Sequence, residues 1–457
     1  MVQGPYKGPW AQSNCKGPKG PCHCIAHALG PTTTTLSVRR FQRVFVSIGN
    51  AIDIAYGCGL KFAAVDAAFS KHSMYRDGCM HLLTTRDGNN KLLILAVAVC
   101  ETESGDTYEW FAQQCIAAGL GRYLNKDAII YSDRQKGLVK FHDAFHAMIG
   151  RCFKHIIENC RKSIKGTGET FEDATAWLVQ KAKTRHGYET ALQALRAQSG
   201  RAAEYFDTVE NPEEVCQYLL NDKGAPTHGH KTSNIVECGN GVFVPARYYT
   251  PYRLMNKILQ WQGSQFFTRQ NDLDKWIQKG HFLTEYAFAK FQIQLEIAKR
   301  TNYLVTAAGN QIFYVQDQSR PDAQQYEVNL ADPRCCCYVG EHRQPCRHMI
   351  CVFAKMRMLG PNVRTAKTTM ETYWPKCFHA KKVRELYGNR GVRLPQIYTG
   401  KFTGPEHERV LPPIQKAKRR GRPKKKRYRY KAKTVQDVKN ALPFVFNPDY
   451  ADLIRFC

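Results

Sequence analysis

Three acids in this chain sit where a carboxylate is costly unless something positive meets it. Asp66 lies inside the apolar run AAVDAAF, Asp133 closes AIIYSD, and Glu237 stands at the start of a helical stretch in KTSNIVECGN. Burying an unpaired charge of this kind costs roughly several kcal/mol, and a bound cation removes that penalty. Hard ions such as Mg²⁺ take one or two carboxylates plus water and phosphate oxygens, and a pair of ions suits in-line displacement at phosphorus. Such a site wants a third carboxylate, which Glu237 would supply. The same residues also fit ordinary turn and cap uses: Asn234 capping a helix, with Glu237 reaching back three residues later, would be a capping box.

A second constellation is RCCCYVGEHRQPCRHMICVF, residues 334–353. Cys335, Cys337, Cys346 and His348 form Cys-x-Cys, eight residues, Cys-x-His, which supplies three thiolates and one imidazole for tetrahedral zinc. Cys336 and Cys351 read as bystanders. Met349, Val352, Phe353 and Met356 recur at helical spacing, so zinc would pin a helix to the turn that follows the strand-like YEVNL. A weaker cluster, Cys15, Cys22, Cys24 and His27, lies in Gly/Pro-rich surroundings with irregular spacing. Cys152 and His155 make a Cys-x-x-His step, but two ligands cannot close a zinc site, and local packing is the simpler use.

Composition sets the partners. The 457 residues carry 67 Lys and Arg against 39 Asp and Glu, a formal charge of +28, which favours a polyanion through counterion release at phosphates. Residues 416–433, KAKRRGRPKKKRYRYKAK, hold 12 of those basic residues and no acid. Within them Arg420-Gly421-Arg422-Pro423, with Lys424 and Lys425 behind, resembles the AT-hook core whose arginines enter a narrow minor groove; a nuclear-import signal explains it equally well. The N-terminus lacks an apolar signal region and no run of eighteen apolar residues occurs, which points to a soluble, intracellular and nuclear protein with reduced thiols.

The elements that must position these residues can be read from periodicity. Short apolar strands occur in LKFAAVDAAF, MHLLTTRDG and NKLLILAVAVCE, the last two joined through Asp87-Gly88-Asn89-Asn90 as a hairpin. A helix with Tyr108, Phe111 and Cys115 on one face follows, then the strand AIIYSD, a helix with Leu138, Phe141 and Phe145 in register, and MIGRCFKHIIENC as another strand. Residues from about 165 to 222 read as a helical block, and helix returns after Asn234, breaks near 249–251, and continues through LTEYAFAKFQIQLEIAKR. The fold class expected is α/β, a mixed sheet interrupted by an all-helical insertion. The expected divisions are a Gly/Pro-rich lead-in (1–55), a core in two parts (56–160 and 231–300) around the insertion (161–230), a zinc module (301–360) and a basic tail (361–457) to which no structure is assigned.

The run DGNNKLLILAVAVCETESGDTYEWF, followed by IIYSDRQKGL, CFKH and TSNIVECGN with Ala246-Arg247 behind it, resembles the Mutator-like element (MULE) transposases, from about Phe41 to about Cys351. That resemblance implies an RNase H-like fold with an Asp-Asp-Glu triad, Asp66, Asp133 and Glu237, binding two Mg²⁺ or Mn²⁺ ions, and a helical insertion before the Glu. It makes Cys152 and His155 a family signature, fits Glu103 and Trp110-Phe111 to the third strand and its helix, and makes the Cys/His cluster similar to a SWIM zinc finger. The usual family Trp near the end of the insertion is missing from NPEEVCQYLLNDKGAPTHGHKTSN. The implied activity is cut-and-paste DNA transposition: binding terminal inverted repeats and target DNA, cleaving and joining strands, with the enzyme as a homo-oligomer. A domesticated, non-catalytic DNA-binding transcription regulator is the alternative; a nuclease for RNA–DNA hybrids accounts for the metal site but not for the zinc module.

Overall fold

Both aspartates belong to a seven-stranded mixed sheet. The computed structural model describes residues 16–17, 20–21, 27–29 and 41–394, except 136, 210, 226, 310, 320–324, 342–343 and 357–372. A small hairpin of β1 (Lys16–Gly17) and β2 (Gly20–Pro21) precedes the sheet strands β3 (His27–Leu29), β4 (Arg43–Ser47), β5 (Phe62–Phe69), β6 (Cys79–Arg86), β7 (Leu92–Cys100), β8 (Ile129–Ser132) and β9 (Met148–Arg151). Their spatial order is β3-β4-β7-β6-β5-β8-β9. From β3 to β5 the pairings are antiparallel; β8 and β9 join parallel to β5.

Sequence explains the centre of this sheet. All nine positions of β7, LLILAVAVC, are buried, as a strand covered on both faces requires. In the hairpin, the Asp87 carboxylate accepts from the backbone N–H groups of Asn89 (2.9 Å) and Lys91 (2.8 Å), and Asn90 takes φ 58°, so the turn chemistry matches the Asp-Gly signal.

Helices cover both faces. α1 (Gly49–Cys58), α2 (Gly105–Ala117) and α3 (Leu138–Phe145) lie within the sheet portion, and Tyr108, Phe111, Cys115, Leu138, Phe141 and Phe145 are all buried as their spacing predicts. The lead-in expected over 1–55 is corrected at its end. RVFVS forms β4 and pairs with β7, while Ala51, Ile52, Ile54 and Ala55 bury the face of α1, so these residues belong to the core.

MIGRCFKHIIENC also differs from the single strand expected. It is β9 as far as Arg151 and then α4 (Phe153–Ser163), because Phe153, Ile156, Ile157 and Cys160 repeat at i, i+3, i+4 and i+7. α4 opens a helical block with α5 (Asp173–Lys181), α6 (Arg185–Gln198), α7 (Gly200–Glu204), α8 (Pro212–Val215) and α9 (Gln217–Asp222). The block has its own apolar centre, including Phe153, Phe171, Leu195 and Phe206.

α10 (Asn234–Val242) returns to the sheet, followed by α11 (Pro251–Gln278) and α12 (Glu285–Arg300). A Cβ on Gly239 would come 2.7 Å from Leu82 Cδ2, so the missing side chain lets α10 lie close on β6. A second, antiparallel sheet runs β10 (Tyr303–Gly309), β11 (Ile312–Asp317), β12 (Tyr326–Asn329), β13 (Arg334–Cys335), with α13 (Tyr338–Glu341) and α14 (Arg347–Lys355) after it.

Within the basic tail set off from 361, residues 373–394 are folded. α15 (Ala380–Tyr387) buries Ala380, Val383 and Tyr387 against the sheet portion. Tyr387 Oη donates to Asp87 Oδ2 at 2.6 Å, and Arg269, itself buried, donates to Tyr387 Oη at 3.0 Å and to the Leu92 carbonyl at 2.7 Å. The two lysines and the arginine of AKKVRELY mask a helical apolar stripe, which is why composition misses it.

Candidate functional site

Ala64 on β5 is opposite Tyr131 on β8, so Asp66, still within β5, and Asp133, just past the end of β8, each lie two residues further along neighbouring parallel strands. β5 is fully buried through Val65 and opens at Asp66. Asn240 of α10 donates its amide N–H to Asp66 Oδ2 at 2.8 Å. Burial, and next the charge of Asp133, pushes the Asp66 carboxyl up to about 7; Glu103 and Glu237 push in the same direction. Glu103, just after β7, accepts from Tyr108 Oη at 3.0 Å and is itself raised by burial and by Asp133. Asp133, Glu103 and Glu237 therefore all disfavour the charge on Asp66.

Asp133 is held through its backbone. Its carboxylate accepts from the Gln135 N–H (3.0 Å), and Arg151 donates to its carbonyl (3.0 Å) while pairing with Glu214 of α8 at 2.6 Å. Arg151 and Glu214 are largely buried, so this pair ties the helical block to the Asp133 turn.

Glu237 is placed differently from the capping-box expectation. The residue preceding α10 is Ser233, which makes no capping bond to the helix backbone; its hydroxyl instead donates to Glu237 Oε1 at 3.0 Å. The same oxygen lies 3.7 Å from Cys152 Sγ and 3.8 Å from His155 Nε2, and Lys154 Nζ is 3.9 Å from Oε2. The hydrogen bond with Cys152, helped by Glu237, raises His155 to about 9. Among the described residues, the acid-containing group whose ligand atoms all fall within 4.8 Å of one another is Cys152, His155 and Glu237; Asp66, Asp133 and Glu237 do not form such a group.

Beyond Asp66 the rim becomes aromatic and basic. Phe69 and Tyr248 are about half exposed, at 51% and 53%. Lys71 Nζ lies 5.1 Å from the centre of the Tyr248 ring, and the Lys71 N–H donates to the Arg247 carbonyl at 2.9 Å. Arg247 is close enough to interact with Asp66, and its Nε is buried without a hydrogen-bond partner. Sequence reasoning picked out neither Asn240 nor Lys71. Asn240 follows Glu237 by one helical turn, which was the available signal.

On α2, Phe111 is buried, whereas Trp110 is half-buried with the Arg43 guanidinium 5.0 Å from its ring centre.

The Cys/His cluster forms as spaced. Cys335, Cys337, Cys346 and His348 are all buried with ligand atoms within 4.8 Å of one another. His348 Nδ1 is 3.5 Å from Cys335 Sγ and 3.9 Å from Cys346 Sγ, and the ring stacks on Tyr326. Thiol donors lower Cys337, which also accepts from the Gly340 N–H, while burial pushes Cys346 up to about 12. Three sulfurs and an imidazole crowded away from water suit tetrahedral zinc, whose charge would replace the protons they otherwise share. Cys336 is exposed and its sulfur accepts from the Glu327 N–H, as a bystander would. Of the expected apolar face of α14, Met349, Val352 and Phe353 are buried, but Met356 is exposed.

Arg420, Arg422, Lys424 and Lys425 lie outside the described residues, as do Cys15, Cys22 and Cys24; His27 is described only as part of a strand. No helix among the described residues is long and apolar enough to cross a membrane. No protein-family model matches the chain, and no curated protein matches it significantly.

Proposed function

We propose that this chain is a DNA transposase of the Mutator-like type, with an RNase H-like core, that cleaves and joins DNA with divalent metal ions. The observation that carries the reading is the pair Asp66 and Asp133, each two residues beyond the paired Ala64 and Tyr131 of neighbouring parallel strands, with Glu103 and Glu237 near enough to disfavour the charge on Asp66. All-carboxylate donors of this kind fit hard ions, and Asp66 and Asp133 would hold them. Mg²⁺ or Mn²⁺ bound there would stabilise charge at phosphorus and supply an activated nucleophile.

The protein's own share is positional. Asn240 orients Asp66, Arg151 fixes the Asp133 turn, and Arg247 offers a cation beside the acids. Phe69, Tyr248 and Lys71 give the neighbouring surface the mix of stacking faces and positive charge that suits nucleic acid. A helical block between β9 and α10, as the insertion should lie, also supports this reading, and so does a zinc knuckle after the core.

Purified protein incubated with a labelled duplex bearing the element's terminal repeat and Mg²⁺ should nick and join it. Asp66→Asn or Asp133→Asn should abolish both steps while leaving duplex affinity intact. Normal cleavage by either variant would remove the acids from the mechanism. The orientation of Glu237 toward Cys152 and His155 favours a second reading, a transposase-derived DNA-binding regulator without catalysis. Specific binding with no cleavage under any divalent ion would select it.

A further inference from the structure

Cys152, His155 and Glu237 are brought together from two elements far apart in sequence. Cys152 precedes the first turn of α4 and His155 lies within it, while Glu237 comes from the first turn of α10. A tetrahedral zinc ion has bonds of about 2.3 Å to sulfur and about 2.0 Å to nitrogen and oxygen, which sets its donor atoms roughly 3.3–3.7 Å apart. The sulfur–carboxylate and imidazole–carboxylate separations here are 3.7 and 3.8 Å, so the carboxylate would have to approach the sulfur by about 0.2 Å and the imidazole by about 0.5 Å to reach that spacing. The thiol is buried, while the imidazole and carboxylate are half-buried, leaving an approach from solvent.

We propose that Cys152, His155 and Glu237 form a second soft-metal site, distinct from the zinc knuckle, for Zn²⁺ or a similar thiophilic divalent ion. Thiolate and imidazole prefer such ions to Mg²⁺, so the donor set is selective against the ions that all-carboxylate sites take. Three protein ligands leave a fourth position for water. On binding, the Cys152 thiol and the His155 imidazolium would each give a proton to solvent, freeing the thiolate and the Nε2 lone pair. Ser233 Oγ, bonded to Glu237 Oε1, would orient the carboxylate from behind, and Lys154 stays on the other oxygen.

Because Glu237 is also the third acid of the proposed transposase site, an ion here holds that carboxylate on the Cys152 side. This consequence rests on the reading above: Zn²⁺ should then suppress Mg²⁺-dependent cleavage by withholding Glu237.

The test uses the full chain, reduced and dialysed against buffered free Zn²⁺, with metal counted by mass spectrometry. About two zinc ions per chain are expected, falling to about one in Cys152→Ser and in His155→Ala, with the knuckle still filled. About one ion in the unsubstituted chain, or a count unchanged by both variants, overturns the proposal. Substituting Co²⁺ gives an independent readout, since loss of part of the sulfur–cobalt charge-transfer absorption in Cys152→Ser is expected and its full retention is contrary. For cleavage, each protein is compared with its own zinc-free rate. Inhibition at least about tenfold weaker in Cys152→Ser supports the regulatory link, and equal inhibition refutes it. Absence of cleavage by the unsubstituted chain without zinc would instead refute the transposase reading and leave the metal count to stand.

Discussion

Asp66→Asn should stabilise the metal-free protein, and more so as pH rises. An ordinary Asp carboxyl titrates at 3.8, whereas burial and the Asp133 charge raise Asp66 to about 7. A raised carboxyl binds its proton more tightly folded than unfolded, so ionising it costs folding free energy. The penalty begins near pH 4, grows through the interval, and levels off above about pH 7. At about 1.4 kcal/mol per unit, it reaches about 4 kcal/mol at high pH and grows by roughly 2–3 kcal/mol between pH 5 and 8.5. The asparagine side chain of the variant has no such charge and still offers Asn240 an acceptor in place of Oδ2. The unfolding midpoints of the two proteins, measured without divalent ions by fluorescence, should therefore separate progressively from pH 5 to 8.5. Adding Mg²⁺ should narrow the gap by stabilising only the aspartate form. A constant difference across this range would show that Asp66 is not held by a crowd of acids, and the metal reading would lose its main support.

If the Cys/His cluster holds zinc, His348→Ala or Cys346→Ala should abolish that binding and open the second sheet and α14 to protease, checked by metal content and limited proteolysis. Tyr387→Phe removes a buried hydroxyl from a carboxylate and should cost about 1.5–3 kcal/mol in denaturant unfolding. Gly88→Ala places a Cβ 1.6 Å from the Cys377 carbonyl, which is backbone and cannot turn aside; a destabilisation of about 1–3 kcal/mol with release of residues 373–394 to protease is expected.

Local rules made part of this molecule legible. The Asp-Gly turn, the continuous apolar run of β7 and the Cys-x-Cys/Cys-x-His spacing each carry their information within a short window, and each appears where its chemistry requires. The mixed sheet followed from the order of such windows. Two features were hidden because they depend on contacts across the chain, and a third, the start of α4, for a local reason. α15 reads as a basic tail until Val383 and Tyr387 meet the sheet. The start of α4 reads as strand because Gly150-Arg151-Cys152 gives no cap signal. Glu237 reads as a third metal-binding acid or a capping residue, and nothing near it in sequence announces its contact with Cys152, eighty-five positions earlier.

The clasp of Tyr387 on Asp87 joins residues 300 positions apart, and the Asn50 side chain reaches the Gly391 carbonyl across 341 positions. Such closure has a consequence for synthesis. A ribosome delivers the hairpin of β6 and β7 long before the segment that seals its turn, so the growing chain carries an unfinished apolar surface through most of translation. Nascent chains halted before residue 373 should then depend on chaperones for solubility, and protease resistance should appear only once residues 373–394 have emerged.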